Sequence, residues 1–319
     1  MNRNIVVAAI MILAVSASLQ SCSSEAGASP DTNTASEPVA VASYTPSAEW
    51  NAYWYQGVAE VNSYKVSQGR YTMSHEGTCV NIFVTEDFSK EKLVKLNDAG
   101  RAGADRLPIL KLNQSLKFNT GIYPYSVMMS AFQPVDRNNY PHAVKVTNTV
   151  QEWCGMAYMQ AKMSGTQVGI EQFSYFEGEQ DQSYAFDGTF MEDELWTTIR
   201  LFPDELPQGE MLVVPGTTFL RFSHKPVRPY TAKISVSKAD GVRVLKIEYP
   251  ELSRDMEISF EDVFPYKILG WEEDYLGFNG EKLHTEAKLD KTIMIDYWNK
   301  HNNDERSLRK DLGLPEDWQ

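Results

Sequence analysis

The chain has 319 residues, with 43 Asp and Glu against 30 Lys and Arg and a formal net charge of −13. So acidic a chain argues against nucleic acid and against anionic lipid head groups as its main partners. Its hydrophobic content of 42%, with 12% aromatic residues, supplies a packed core and excludes a wholly disordered chain.

The N-terminus reads as an export signal. Met1-Asn2-Arg3-Asn4 carries one positive charge, residues 5–15 are an unbroken apolar run, and residues 16–21 are mostly small or polar. That apolar run is too short for a permanent membrane span. Leu19-Gln20-Ser21-Cys22 resembles a lipobox, which makes residues 1–21 a lipoprotein signal peptide and Cys22 the expected lipid-bearing N-terminus. Residues 22–47 are rich in Ser, Ala, Thr, Glu and Pro, so they cannot bury enough surface to offset ordering entropy and are expected to be a tether. A lipid anchor and a tether hold a body at a membrane without spanning it. Residues 48–319 then read as a single, mostly-β domain.

The body opens on Trp50, Tyr53, Trp54 and Tyr55. Glu76-Gly77, between residues 63–74 and 78–87, reads as a hairpin turn, and residues 89–99 read as a short helix with Ser89 as its N-cap. Tyr123-Pro124-Tyr125 adds aromatics, and Trp153 with Cys154 reads as part of a strand. Ser164-Gly165 divides residues 144–163 from 166–176 in a second hairpin. Glu177-Gly178-Glu179-Gln180-Asp181 lacks the residue order of a calcium loop and reads as a solvated hairpin end. Glu192-Asp193-Glu194 reads as a solvated helix start, with residues 193–199 as one further turn. Asp240-Gly241 separates two alternating runs and is the strongest hairpin signal, because both residues tolerate the positive φ that such a turn demands. Asn279-Gly280 gives a fourth hairpin. Residues 304–312 form the expected C-terminal helix, capped by Asp304 and stopped by Gly313 and Pro315. The fold class is therefore mainly β: a large curved antiparallel sheet of long hairpins, half-barrel or barrel-like, with a few short helices.

Chemistry is conspicuous by its absence. No nucleophile elbow, zinc-protease, phosphate-loop or dinucleotide-binding signature occurs, so no catalytic residue and no cofactor is assigned. The five histidines (His75, His142, His224, His284 and His301) are too scattered for a metal site. An oxidising envelope permits a disulfide between Cys79 and Cys154, with two unlinked thiols the equal alternative. Trp54, Tyr55, Tyr123, Tyr125, Trp153 and Tyr158 are candidates to line a ligand site, against the plainer account that they fill the core.

Several segments resemble an uncharacterised lipoprotein family of Bacteroidetes. They include Tyr53-Trp54-Tyr55-Gln56-Gly57, Phe83-Val84-Thr85-Glu86-Asp87-Phe88, Phe118-Asn119-Thr120-Gly121-Ile122-Tyr123-Pro124-Tyr125-Ser126, Val150-Gln151-Glu152-Trp153-Cys154-Gly155 and Pro265-Tyr266-Lys267-Ile268-Leu269-Gly270-Trp271-Glu272. Members of that family often carry the name "septum formation inhibitor Maf". True Maf proteins are cytoplasmic nucleotide pyrophosphatases with a Ser-Pro-Arg-Arg segment, which this chain lacks. The resemblance thus implies an outer-membrane lipoprotein, facing the periplasm or the cell surface, and transfers no catalytic residue. The leading expectation is a non-enzymatic body that binds an apolar ligand or an acyl chain in its curved sheet. The alternatives are a scaffolding subunit that meets a protein partner of the envelope, and a hydrolase or nucleotide pyrophosphatase.

Overall fold

Alternating apolar residues and tight turns build the structure, a computed structural model that describes residues 44–316 other than Phe278. The signal peptide, Cys22 and residues 22–43 of the tether lie outside the described residues. Ser47 opens the body: its side chain accepts from the Trp50 N–H and caps helix α1 (Ala48–Trp54), which buries Trp50 and Trp54.

Seven antiparallel strands follow α1, namely β1 (Ala59–Arg70), β2 (Met73–Ser89), β3 (Arg106–Thr120), β4 (Tyr123–Pro134), β5 (Lys145–Glu152), β6 (Gly155–Ser164) and β7 (Gln167–Ser174). β8 (Gln182–Phe186) ends this wing, and β9 (Phe190–Met191) begins the other. Between them and the C-terminal strands come helix α2 (Leu195–Leu201), β10 (Gly209–Val214) and helix α3 (Thr217–Ser223). The second wing is β11 (Tyr230–Ala239), β12 (Val242–Tyr249), β13 (Arg254–Glu261), β14 (Ile268–Leu276) and β15 (Lys282–Ile295). Among the described residues these make one 15-stranded sheet, ordered from β8 through β1, then β15 down to β9. Every pair is antiparallel except β9 with β10. Pairing of β1 with β15 joins the two wings. Only Asp187-Gly188-Thr189 separates the edge strands β8 and β9 in the chain, and among the described residues these two edges do not pair, so the curled sheet is not closed into a barrel.

One face of the sheet lines the concavity. Tyr64, Cys79, Phe83, Leu112, Val127, Val146, Met159, Ile170 and Leu245 all belong to a single buried cluster with α2 and α3. All seven residues of α2 are buried, which makes it a plug rather than a surface helix. On the other face a smaller cluster of Ala59, Val61 and Val84 is covered in part by Leu312 of a C-terminal 3₁₀ segment, Asn303–Leu312. The described residues all fall within one compact unit.

The Asp240-Gly241 turn forms as expected, with φ of 52° and 79° and Ala239 paired to Val242. Other expectations need correction. Gly77 is no turn: it lies within β2, paired to Val66 and Phe118, and a Cβ there would stand 2.5 Å from the Lys117 carbonyl oxygen. The turn is Tyr71-Thr72, with Tyr71 at φ 58° and its hydroxyl bonded to those of Tyr123 and Tyr125 at 2.6 and 2.8 Å. Residues 144–163 are two strands, not one, divided at Trp153-Cys154, where the Glu152 carboxylate accepts from the Cys154 N–H. The next turn is Gly165-Thr166, one residue later than expected. Residues 89–99 form no α-helix, because the β2–β3 ladder continues to Ser89 and Phe88 packs with Leu107, Ile109 and Val144. Tertiary burial overrides local helix propensity there. Asn302, not Asp304, caps the C-terminal segment, in a capping box with Glu305; Gly313 stops it at φ 63°.

Candidate functional site

The six candidate aromatics do not converge. Trp54 is buried at the end of α1, where its ring takes the Arg200 guanidinium, and its neighbour Tyr55 is 50% exposed. Tyr123 and Tyr125 stand together near the β1–β2 turn, with Tyr125 stacked on Phe118 at 4.9 Å. Trp153 lies 6.3 Å from Tyr123 but is 68% exposed at its turn. Tyr158 borders a hollow at β5–β8, yet its ring stacks on Phe173, its partner across the ladder. Core and surface, rather than one aromatic-lined site, account for most of this set.

What the sequence conceals is a set of charges inside the concavity. Arg200 of α2 and Glu60 of β1 are both 0% exposed and form a two-pronged pair at 2.7 Å in each prong. The guanidinium lies over the rings of Trp54 and Phe83, and its Nε donates to the Pro265 carbonyl at 2.9 Å. Burial opposes ionisation of Glu60, but the Arg200 charge and the hydrogen bonds from Arg200, Asn62 and Tyr53 outweigh it and bring the carboxyl down to about 2. On the opposite wing Arg254 binds Glu192 through Nη1 and Nη2 at 2.5 and 2.7 Å, and Glu273 through Nε at 2.6 Å. Burial still raises the Glu273 carboxyl against the pull of Arg254. Glu192, Asp193 and Glu194 are therefore all buried, correcting the expectation of a solvated helix start. Each has a partner: Arg254 for Glu192, Thr217 for Asp193, and His142 with the Ala143 N–H for Glu194.

Asp193 begins a chain of hydrogen bonds that ends at a cavity. Its carboxylate accepts from the Thr217 N–H at 3.0 Å and from the Thr217 hydroxyl at 2.9 Å. The hydroxyl, its proton thus engaged, accepts from Asn148 Nδ2 at 2.8 Å, as does that of Thr218. This fixes the orientation of the Asn148 amide, leaving Oδ1 buried without a hydrogen-bond partner. Asn148 lines a hollow of about 320 Å³ between β5–β8 and α3. Val150, Ala157, Met159, Leu220 and Val227 are among the apolar groups that line it. Arg221 and His224, on and just after α3, share the Glu179 carboxylate at 2.8 Å each. Burial opposes ionisation of Glu179, but bonds from His224 and Ser174 and the Arg221 charge hold its carboxyl below the usual range. The hollow thus joins an apolar wall to a wall of polar and charged side chains, and convergent polar groups beside apolar surface are a feature of small-molecule sites.

Burial and the neighbouring Glu192 raise Asp193 to about 7. The folded state thus keeps a proton that the unfolded chain releases near pH 4, so this group lowers stability as pH rises from about 4 to about 7. Asp193→Asn keeps an acceptor for Thr217 and is expected to flatten that slope. Urea midpoints at pH 5 and pH 8 check it; an unchanged slope in the variant rules the attribution out.

Among the described residues no group of three His, Cys, Asp or Glu side chains is placed to hold a metal ion, and no helix is long and apolar enough to cross a membrane. Cys79 is a buried free thiol in β2, pushed up by burial, and Cys154 is an exposed free thiol, so the bridge left open by the sequence is not formed. No protein-family model matches the chain, and no curated protein matches it.

Proposed function

We propose that the chain is an outer-membrane lipoprotein, exported by residues 1–21 and anchored through Cys22, whose curved sheet binds an apolar ligand or acyl chain without turning it over. The observation that carries this reading is the hollow beneath α3, apolar along Met159, Leu220 and Val227 and polar at Asn148, Arg221 and His224. Its volume of about 320 Å³ falls at the lower end of the roughly 300–1,000 Å³ usual for small-molecule sites. The test is lipid extraction and mass spectrometry of the unit from Val41 onward, expressed in the periplasm. One apolar or acyl species at near-stoichiometric amount is expected, and protein that carries nothing contradicts the reading.

A second reading, a scaffolding subunit that meets a protein partner of the envelope, draws on the outer face of the first wing. Trp153, Met156, Phe173 and Tyr175 are all exposed there, and large exposed apolar groups in one region mark interaction surfaces. A stoichiometric partner recovered from membranes by the native chain, and lost on Phe173→Ser with Tyr175→Ser, supports it.

A further inference from the structure

The hollow beneath α3 has one feature that its apolar lining does not explain. Arg221, His224 and Lys225 gather on its wall in a chain whose net charge is −13. Glu179 is the carboxylate they meet, taking one bond from Arg221 and one from His224. Lys225, half-buried, makes no ion pair among the described residues. The Arg221 guanidinium lies 4.5 Å over the Phe176 ring, which holds it at the wall of the hollow. The site therefore has more cationic donors than its own carboxylate uses.

Glu179 is also held in a particular way. Its backbone carbonyl accepts from Gln172 at 3.3 Å and from Gln182 at 2.5 Å, so β7 and β8 fix the main chain of the loop. The side chain has room to turn aside. A second hollow of about 540 Å³, bordered by Arg70, Phe176 and Leu283, shares Gly178, Glu179 and His224 with the first. An incoming acid would take the Arg221 and His224 bonds that Glu179 now holds, at the cost of displacing Glu179 from these donors and from the Ser174 hydroxyl at 2.7 Å. Burial of an apolar body, and the donors that Glu179 leaves unused, would then supply the binding.

Resting on the reading of this hollow as an apolar-ligand site, we infer that its ligand is a single-chain amphiphile with an anionic head group, seated at Arg221, His224 and Lys225 where Glu179 now stands. Its apolar body lies along Met159, Leu220 and Val227. A hollow of about 320 Å³ favours one chain over two. The net negative charge of the protein disfavours anionic surfaces and leaves room for a single anion in a locally cationic pocket.

Calorimetric titration of the unit from Val41 with decanoate, decyl phosphate and decanol tests this. At least one anion is expected to bind about tenfold or more tighter than decanol, a gap typical of one charge-assisted contact. Whichever anion binds tighter identifies carboxylate or phosphate as the natural head group. Arg221→Gln should erase that gap and leave decanol unaffected, and Glu179→Gln should tighten the anion about three- to tenfold. Lys225→Gln, which disturbs little packing, should weaken the anion alone and keeps the test readable if Arg221→Gln fails to fold. Equal binding of all three probes overturns the anionic head group while the apolar site stands. Binding of none overturns both.

Discussion

Replacing Arg200 by alanine is expected to cost about 3–5 kcal/mol, the range seen when one partner of a buried ion pair is removed. The size follows from what the guanidinium does. It gives both prongs to Glu60, bonds the Pro265 carbonyl, and fills the space between Trp54 and Phe83. Without it Glu60 keeps hydrogen bonds from Asn62 and Tyr53 but faces burial with no counter-charge. Acid response supplies a second readout. In the native protein the Glu60 carboxyl lies at about 2, below its ordinary value, so its stabilisation is present above about pH 4.5 and is lost as pH falls towards 2. In Arg200→Ala the sign reverses: a buried, uncompensated carboxyl is raised, and stability falls as pH rises. Paired replacement, Arg200→Met with Glu60→Leu, should recover most of the loss, since apolar groups of similar volume often match a buried pair. Urea denaturation across pH 3–7 decides between these outcomes. A single variant as stable as the native chain would sink the account of this pair.

Arg254→Ala should be about as damaging, again about 3–5 kcal/mol, because one cation there serves the buried Glu192 and the partly buried Glu273. Glu192, keeping only the Tyr249 hydroxyl, and Glu273 would lose their counter-charge beside Asp193, which burial and the charge of Glu192 already raise. Arg254→Lys is the informative companion. An ammonium cannot reproduce two prongs to Glu192 together with an Nε bond to Glu273, so about 1–3 kcal/mol should still be lost. The arginine also holds Phe219 of α3 under its guanidinium at 4.3 Å. Both variants should therefore loosen α3 and speed hydrogen exchange at residues 217–223 ahead of β1–β4. Equal protection in the two regions would contradict a local role.

The fold class was legible because long strands advertise themselves by alternation, and Asp240-Gly241 by turn chemistry. Turns that carry no Gly-based signature were not. Tyr71 adopts a left-handed conformation that only its tertiary contacts with Tyr123 and Tyr125 explain. Trp153-Cys154 turns with no glycine inside it. Gly77 misled in the opposite direction, being required by close approach of β2 to β3 rather than by a bend. Glu192-Asp193-Glu194 reads as solvated because three adjacent acids seldom enter a core, and their partners Arg254, Thr217 and His142 are far away in sequence. For the same reason the site was invisible. Asn148, Leu220 and Arg221 come from a strand and a short helix some 70 residues apart, and nothing local marks them as neighbours.

The hollow beneath α3 as a ligand site is tested most directly by filling it. Ala157 lies on its wall and is buried, so Ala157→Phe should occupy the space that a ligand would take. Titration with the fluorescent apolar probe N-phenyl-1-naphthylamine, alongside urea denaturation, measures both consequences. One probe per native protein is expected, with binding weakened about tenfold or more in the variant and stability changed by less than about 1.5 kcal/mol, because empty space accepts the added ring. Undiminished binding in a folded Ala157→Phe protein, or no binding to the native chain, would contradict the account.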